Sequence, residues 1–174
     1  MSMLGRIRRI LLGNLKAAIK DGLKIEEGVT VMGGVNFGSE PYLIWLHRKC
    51  RISFNVSFIT HDGGTWAFRE TDQRYCHVVK YGTIEIGEYS FVGANATIMP
   101  GVKIGQHCVI GAGAVVTQSV PDGMVVAGVP ARVVCTTQEY AEKCLQQMPK
   151  DFDREAYLAD KRAYLTSKLW GQNK

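Results

Sequence analysis

The sequence predicts a mainly β protein, a parallel β-helix solenoid with an N-terminal helix before it and a helical extension after it. Three observations predict this. Between Ile84 and Val134, β-branched apolar residues recur every six positions, at Ile86, Val92, Ile98, Ile104, Ile110 and Val116. Four residues after each stands a small or medium side chain: Ser90, Ala96, Val102, Cys108, Ala114 and Val120. Gly87, Gly93, Gly105 and Gly111 directly follow four of the aliphatics, as expected if the backbone turns a corner there with positive φ. A helix needs a period of about 3.6 and a half-buried strand one of about two, so a run in sixes fits neither. Units this short cannot bury their own apolar face, and stacked rungs make the core together.

The elements follow in order. Over residues 1–22, Leu4, Ile7, Leu11, Leu15, Ala18 and Ile19 form a stripe, with Arg6, Arg8, Arg9, Lys16 and Lys20 mostly off it. This is the pattern of an amphipathic helix. It would cap one end of the solenoid, or rest its basic face weakly on an anionic membrane surface. The β-helix is expected over residues 23–134. Its first hexads carry Ile25, Val31 and Phe37, with Val29 and Val35 four after the first two. The step from Phe37 to Leu46 is three residues too long, which places an excursion at 38–45. Leu46, Ile52 and Phe58 then continue the phase, with Cys50 and Val56 in their expected places. Phe58 and Ile86 are separated by three hexads and ten extra residues, which places a second excursion at 60–76. After Val134 the rhythm stops. Residues 135–174 read as helical, divided at Pro149, with Leu158, Tyr164, Leu165, Leu169 and Trp170 giving the last helix an apolar side to pack on the solenoid or a neighbouring subunit.

Composition narrows the class. A chain of 174 residues, 46% hydrophobic, is long enough for one domain with a sizeable core. The net charge of +5, from 21 basic and 16 acidic residues, favours an anionic ligand slightly, and the absence of a long basic block gives no sign of nucleic acid. Five cysteines without a CxxC pair suggest neither a disulfide framework nor a zinc knuckle, and fit a reducing cytoplasm. Charges interrupt every apolar run of the first twenty residues, which argues against a membrane span or secretory signal.

The hexads ANATIMPGVKIG and VIGAGAVVTQSVPDGMVVAGVPARVV resemble those of the hexapeptide-repeat acyltransferases. That resemblance, and not the spacing, implies a left-handed coil of triangular cross-section, a homotrimer, and acetyl-CoA as co-substrate with no metal required. Within the family, FITHDGG is similar to the sugar and polysaccharide O-acetyltransferase branch, and implies His61 as the catalytic base. The chemistry suits an imidazole. An alcohol is a poor nucleophile near neutral pH, and a base of reference pKa about 6.5 can take its proton as it attacks a thioester. Asp62 and Glu40, the latter within GSEPYLI, are candidates to orient His61. Tyr42, Trp66, Phe68 and Arg69 would suit a saccharide ring and an anionic group on it. By position in the family motifs, Ala94, Ala112, Gly113, Thr117 and Arg132 match donor-contacting residues. Two departures stand out: Phe91 lies where many relatives have Trp, and Cys135 where some have a second basic residue.

Competing readings are an N-acetyltransferase on an amino sugar, a zinc-dependent carbonic-anhydrase-like enzyme drawing on His47, His61, His77 or His107, and a scaffold without activity.

Overall fold

The computed structural model describes residues 13–170. Residues 13–20 form helix α1, the end of the segment expected to be helical; the stripe from Leu4 to Leu11 lies outside the described residues. Short strands follow in chain order: β1 (Lys24–Ile25), β2 (Thr30–Val31), β3 (Ile44–Leu46), β4 (Arg51–Ile52), β5 (Ser57–Phe58), β6 (Ile84–Ile86) and β7 (Phe91–Val92). Then come β8 (Thr97–Ile98), β9 (Lys103–Ile104), β10 (Val109–Ile110), β11 (Val115–Val116), β12 (Met124–Gly128) and β13 (Ala131–Thr136).

These strands stack as three sheets. One has the order β1-β3-β6-β9, the second β13-β12-β10-β7-β4-β2 and the third β11-β8-β5. From β3 to β11 successive strands go to successive sheets, and all the strands pair parallel except β12 with β13. The register is regular: Glu85 pairs with Lys103, Phe91 with Val109 and Thr97 with Val115, each eighteen residues on. Three hexads therefore make one turn of a three-sided coil.

The sixfold period is the inside of that coil. Ile86, Val92, Ile98, Ile104 and Ile110 are fully buried, and Ala96, Val102, Cys108 and Ala114 fill the space between them. Burying each large aliphatic contributes about 1.5–3 kcal/mol. Ser90 is the one polar residue of that second set, and both its roles are met: Oγ donates to Gly105 O at 2.7 Å and accepts from Cys108 N at 2.9 Å.

The hexad glycines serve a different purpose from the one expected. None of Gly87, Gly93, Gly105 or Gly111 has positive φ; the left-handed corner residues are Tyr89, Asn95, His107 and Gly113, two positions later. A Cβ on Gly93 would lie 2.6 Å from Ala112 N and 2.7 Å from Ile110 O. Close approach of the next coil, and not the turn, requires glycine there.

The chain leaves the coil twice. A short 3-10 turn, Pro41–Leu43, fills the first excursion before β3 begins at Ile44. The second is longer than 60–76: β5 is followed directly by β6 at Ile84, and the intervening residues hold two 3-10 turns, Gly63–Phe68 and Gln73–Tyr75. Counting in sixes leaves residues 77–83 to the coil, yet the in-phase position before Ile86 is Lys80, and these residues belong to the loop. At the other end, residues 131–134 do not continue the coil. β13 folds back antiparallel on β12. Helix α2 (Thr137–Gln147) starts from a capping box in which Thr136 Oγ1 accepts from Glu139 N at 3.1 Å and Glu139 Oε2 accepts from Thr136 N at 2.8 Å.

The chain divides into two compact units, Met1–Tyr140 and Ala141–Lys174. In the second, α3 (Arg154–Ala159) and α4 (Lys161–Trp170) pack through Phe152, Tyr157 and Tyr164, whose rings meet at 5.6–6.0 Å. No described helix is long and apolar enough to cross a membrane.

Candidate active site

The two excursions meet at one place. Glu40 precedes the Pro41–Leu43 turn, and its Oε2 accepts from Thr60 Oγ1 at 2.6 Å and lies 2.9 Å from His61 Nδ1. Its side chain is only 13% exposed, against 44% for His61. The Thr60 hydroxyl first, and then the His61 ring, hold the Glu40 carboxyl below the ordinary carboxylate range, against the opposing effect of burial. An ionised carboxylate only accepts, so Nδ1 carries the proton and the lone pair of Nε2 is left as the basic site. The pair is thus an imidazole oriented by a carboxylate, with the ring partly open to solvent.

Asp62 is not part of that pair. Its carboxylate accepts from Gly64 N at 2.9 Å and meets Lys80 Nζ at 3.2 Å, which caps the first loop turn and pins the loop's neck. The neck is closed further by Asp62 N donating to Lys80 O and Gly82 N donating to Thr60 O, both at 2.9 Å, and by an antiparallel bridge between His61 and Tyr81.

Beside the neck lies a cleft of about 290 Å³ lined by His61, Asp62, Trp66, Arg69, Lys80 and Tyr81. Trp66 is 76% exposed there, and Phe68 is turned against Tyr75 instead. Arg69 is held within the loop: Nε donates to Val78 O and Nη2 to Thr65 Oγ1, both at 2.9 Å. Tyr42 is elsewhere, in a separate depression with Lys24, Trp45, Thr83 and Glu85.

The positions expected to hold the donor fall in two groups. Ala94 and Gly113 stack at one corner of the coil, where Gly113 N donates to Ala94 O at 2.8 Å. Ala112 and Gly113 are exposed at that corner, and a Cβ on Gly113 would meet nothing within 4 Å. Thr117 follows β11, and Arg132 lies in β13 beside Gln118 and Ser119, with Nη1 donating to Ala131 O at 2.9 Å. Among the described residues, none of the hydrogen bonds of His61 reaches either group. Of the two departures, Phe91 faces outward on β7, and Cys135 pairs across β12 with Val125.

Sequence reasoning missed Thr60, Lys80 and Tyr81. Thr60 is 1% exposed and bonded to Glu40, yet it stands at the end of a hexad where no period marks it. Two other histidines sit apart from this site. His47 lies between Glu26 at 3.0 Å and Glu85 at 3.7 Å, and His107 stacks on Tyr89.

Comparison with known proteins agrees with this architecture. The family described as bacterial transferase hexapeptide (six repeats) matches residues 83–118. Protein CapG of Staphylococcus aureus is 42% identical over 133 residues, covering 76% of this chain and 74% of that protein. The putative acetyltransferase YvoF of Bacillus subtilis (strain 168) is 32% identical over 125 residues, covering 72% of this chain and 64% of its own. The crystal structure of the hexapeptide-repeat-containing acetyltransferase VCA0836 of Vibrio cholerae O1 biovar eltor, complexed with acetyl coenzyme A, is similar at a TM-score of 0.56 and 25% identity. That match covers 66% of this chain and 60% of VCA0836, so this chain spans less than two thirds of VCA0836 and of YvoF. The identity to CapG over most of both chains, the repeat match and the three-sided parallel coil together place this chain in the hexapeptide-repeat acyltransferase family.

Proposed function

We propose that this protein is an acetyltransferase that moves the acetyl group of acetyl-CoA to a hydroxyl of a saccharide, with His61 as general base and Glu40 as the residue that positions it. The observation that carries the reading is the Glu40–His61 pair at 2.9 Å, with the ring half exposed at a cleft. Support for the donor comes from the likeness to VCA0836, complexed with acetyl coenzyme A, and from the name of YvoF as a putative acetyltransferase.

In the reaction, Nε2 of His61 takes the proton of the acceptor hydroxyl as its oxygen attacks the thioester carbon. The carbon–sulfur bond then breaks, and the departing thiolate takes that proton back from the imidazolium. Glu40 keeps the ring in the right tautomer and carries the countercharge while the imidazolium exists. General base catalysis of this kind contributes about 10² to 10⁴ in rate, or roughly 3–5 kcal/mol of barrier. The corner of Ala94, Ala112 and Gly113 suits the extended arm of the donor, because these three residues carry nothing larger than a methyl group and space opens beside Gly113. Arg132 suits a phosphate of its nucleotide end. Among the described residues, none of the hydrogen bonds of His61 reaches these positions within one chain, and the reading includes a left-handed coil and a homotrimer, in which donor bound partly by one subunit reaches His61 of the next.

The test is thiol release from acetyl-CoA across a panel of sugars and amino sugars, comparing wild type with His61→Ala. Release triggered by a saccharide hydroxyl, lost by at least roughly 10² in a variant that still binds acetyl-CoA, is the expected result. Equal activity of the two proteins would make His61 a spectator. Release with amino sugars alone would move the acceptor to an amine.

A further inference from the structure

Sequence pattern points to Arg69 as the group for a negative charge on the acceptor, but the guanidinium is engaged with Val78 O and Thr65 Oγ1 and holds the loop together. A second cation faces the same cleft. The main chain of Lys80 is fixed by Asp62 N donating to its carbonyl at 2.9 Å, and the next residue, Tyr81, is bridged to His61. The Lys80 side chain is 68% exposed and, among the described residues, meets one carboxylate oxygen, Asp62 Oδ2 at 3.2 Å.

The carboxylates around His61 are already occupied. Asp62 Oδ1 accepts from Gly64 N, and Glu40 lies behind the ring with Thr60 and His61 on one oxygen. An ammonium has three N–H donors, so Lys80 has bonds left to give at the cleft; Arg69 also keeps donors, but two of its five N–H groups are spent on holding the loop in shape. The Asp62–Lys80 pair is exposed, and exposed pairs are weak, so a stronger anion can share or take the ammonium. Trp66 and Tyr81, both more than half exposed, add aromatic faces on the same cleft.

We propose that Lys80 binds an anionic substituent of the acceptor, and that the acceptor is a saccharide carrying a phosphate or carboxylate on the acetylated sugar or the residue joined to it. This deepens the acetyltransferase reading and rests on it for the identity of the reaction. The placement follows from the chain: Lys80 is one residue from Tyr81, which faces His61 across the neck, so anion and reacting hydroxyl belong close together. Asp62 is then the resting partner of Lys80, and Arg69 a positioning residue of the loop.

The test uses matched acceptors: a neutral hexose, its 1-phosphate, its nucleoside diphosphate derivative and the corresponding uronic acid. CoA release is measured with wild type, Lys80→Met, which keeps the apolar stem and deletes the charge, and Lys80→Arg. Wild type is expected to show a kcat/KM about ten- to a hundredfold higher for an anionic member than for the neutral sugar, the range a charged hydrogen bond supplies. Lys80→Met should lose that preference mainly through KM, and Lys80→Arg should restore most of it. The phosphate and carboxylate arms say which anion is meant. Equal kcat/KM for neutral and anionic sugars, or a preference that survives in Lys80→Met, overturns the proposal. Calorimetric binding of the same sugars to His61→Ala, with and without Lys80→Met, reads the anion preference without any turnover. If nothing in the panel releases CoA but anionic sugars bind in a Lys80-dependent way, the acetyltransferase reading has failed and the assignment of Lys80 stands; binding that ignores both charge and Lys80 refutes the assignment.

Discussion

Replacing Glu40 by Gln isolates the charge behind the candidate base. The side-chain carbonyl of the Glu40→Gln variant, set where Oε2 lies, can still accept from both His61 Nδ1–H and the Thr60 hydroxyl, which share that one oxygen. The geometry at 2.6 and 2.9 Å is therefore retained while the charge is lost. A hydrogen bond to a charged group is worth about 1.5–3 kcal/mol and a neutral one about 0.5–1.5, so the imidazolium formed during proton transfer loses about 1–1.5 kcal/mol of support. That corresponds to roughly a tenfold fall in kcat, smaller than the 10² or more expected for His61→Ala. The assay is the initial rate of CoA release at saturating acceptor, with the thermal midpoint measured alongside. A kcat within about twofold of wild type, with the fold intact, would refute the positioning role. Stability carries a second signature. The carboxyl of Glu40 is held below its ordinary value of 4.5 by Thr60 and then His61. A depressed folded-state value means the contribution is fully present above the unfolded value and is lost as pH falls through the folded one. Wild type should therefore lose more stability than Glu40→Gln between about pH 5 and the acid range.

Three further outcomes follow from the coil. Ile110→Ala, at a fully buried site between Val92 and Val126, should cost about 2–5 kcal/mol in urea denaturation. Gly93→Ala should cost at least about 2 kcal/mol because its Cβ would overlap the backbone of the next coil, whereas Gly63→Ala, with nothing within 4 Å and no positive φ, should stay within about 1 kcal/mol of wild type; equal midpoints for the two variants would refute the close-approach argument. Burial pushes the Cys50 thiol up to about 12, so a thiol reagent near pH 8 should label exposed Cys76 and Cys144 in the native protein, and Cys50 and buried Cys108 only after denaturation.

The parts of this molecule that repeat were legible because repetition is what the sequence can display. A residue inside the coil meets the residue eighteen positions on, so one steric requirement is written again at every turn, as at Ile86, Ile104 and the positions between. The long loop obeys no such rule. What Arg69 does is decided by a carbonyl at Val78 and a hydroxyl at Thr65, contacts that belong to one conformation and leave no pattern. The Glu40–His61 pair stands between these cases. Family likeness names it, yet its register is present in the spacing. The three-residue slip between Phe37 and Leu46 lengthens that turn, so that Lys24 pairs with Trp45 and Asn36 with Ser57, each twenty-one residues on. Glu40 and His61 are separated by the same twenty-one positions, as are Glu26 and His47, which form the other histidine–carboxylate contact across adjacent turns. The excursion that looks like an interruption of the coil is what sets Glu40 beneath His61. A carboxylate at residue 40 faces the imidazole because the turn is longer by three, and an uninterrupted turn of eighteen would have set it against Phe58.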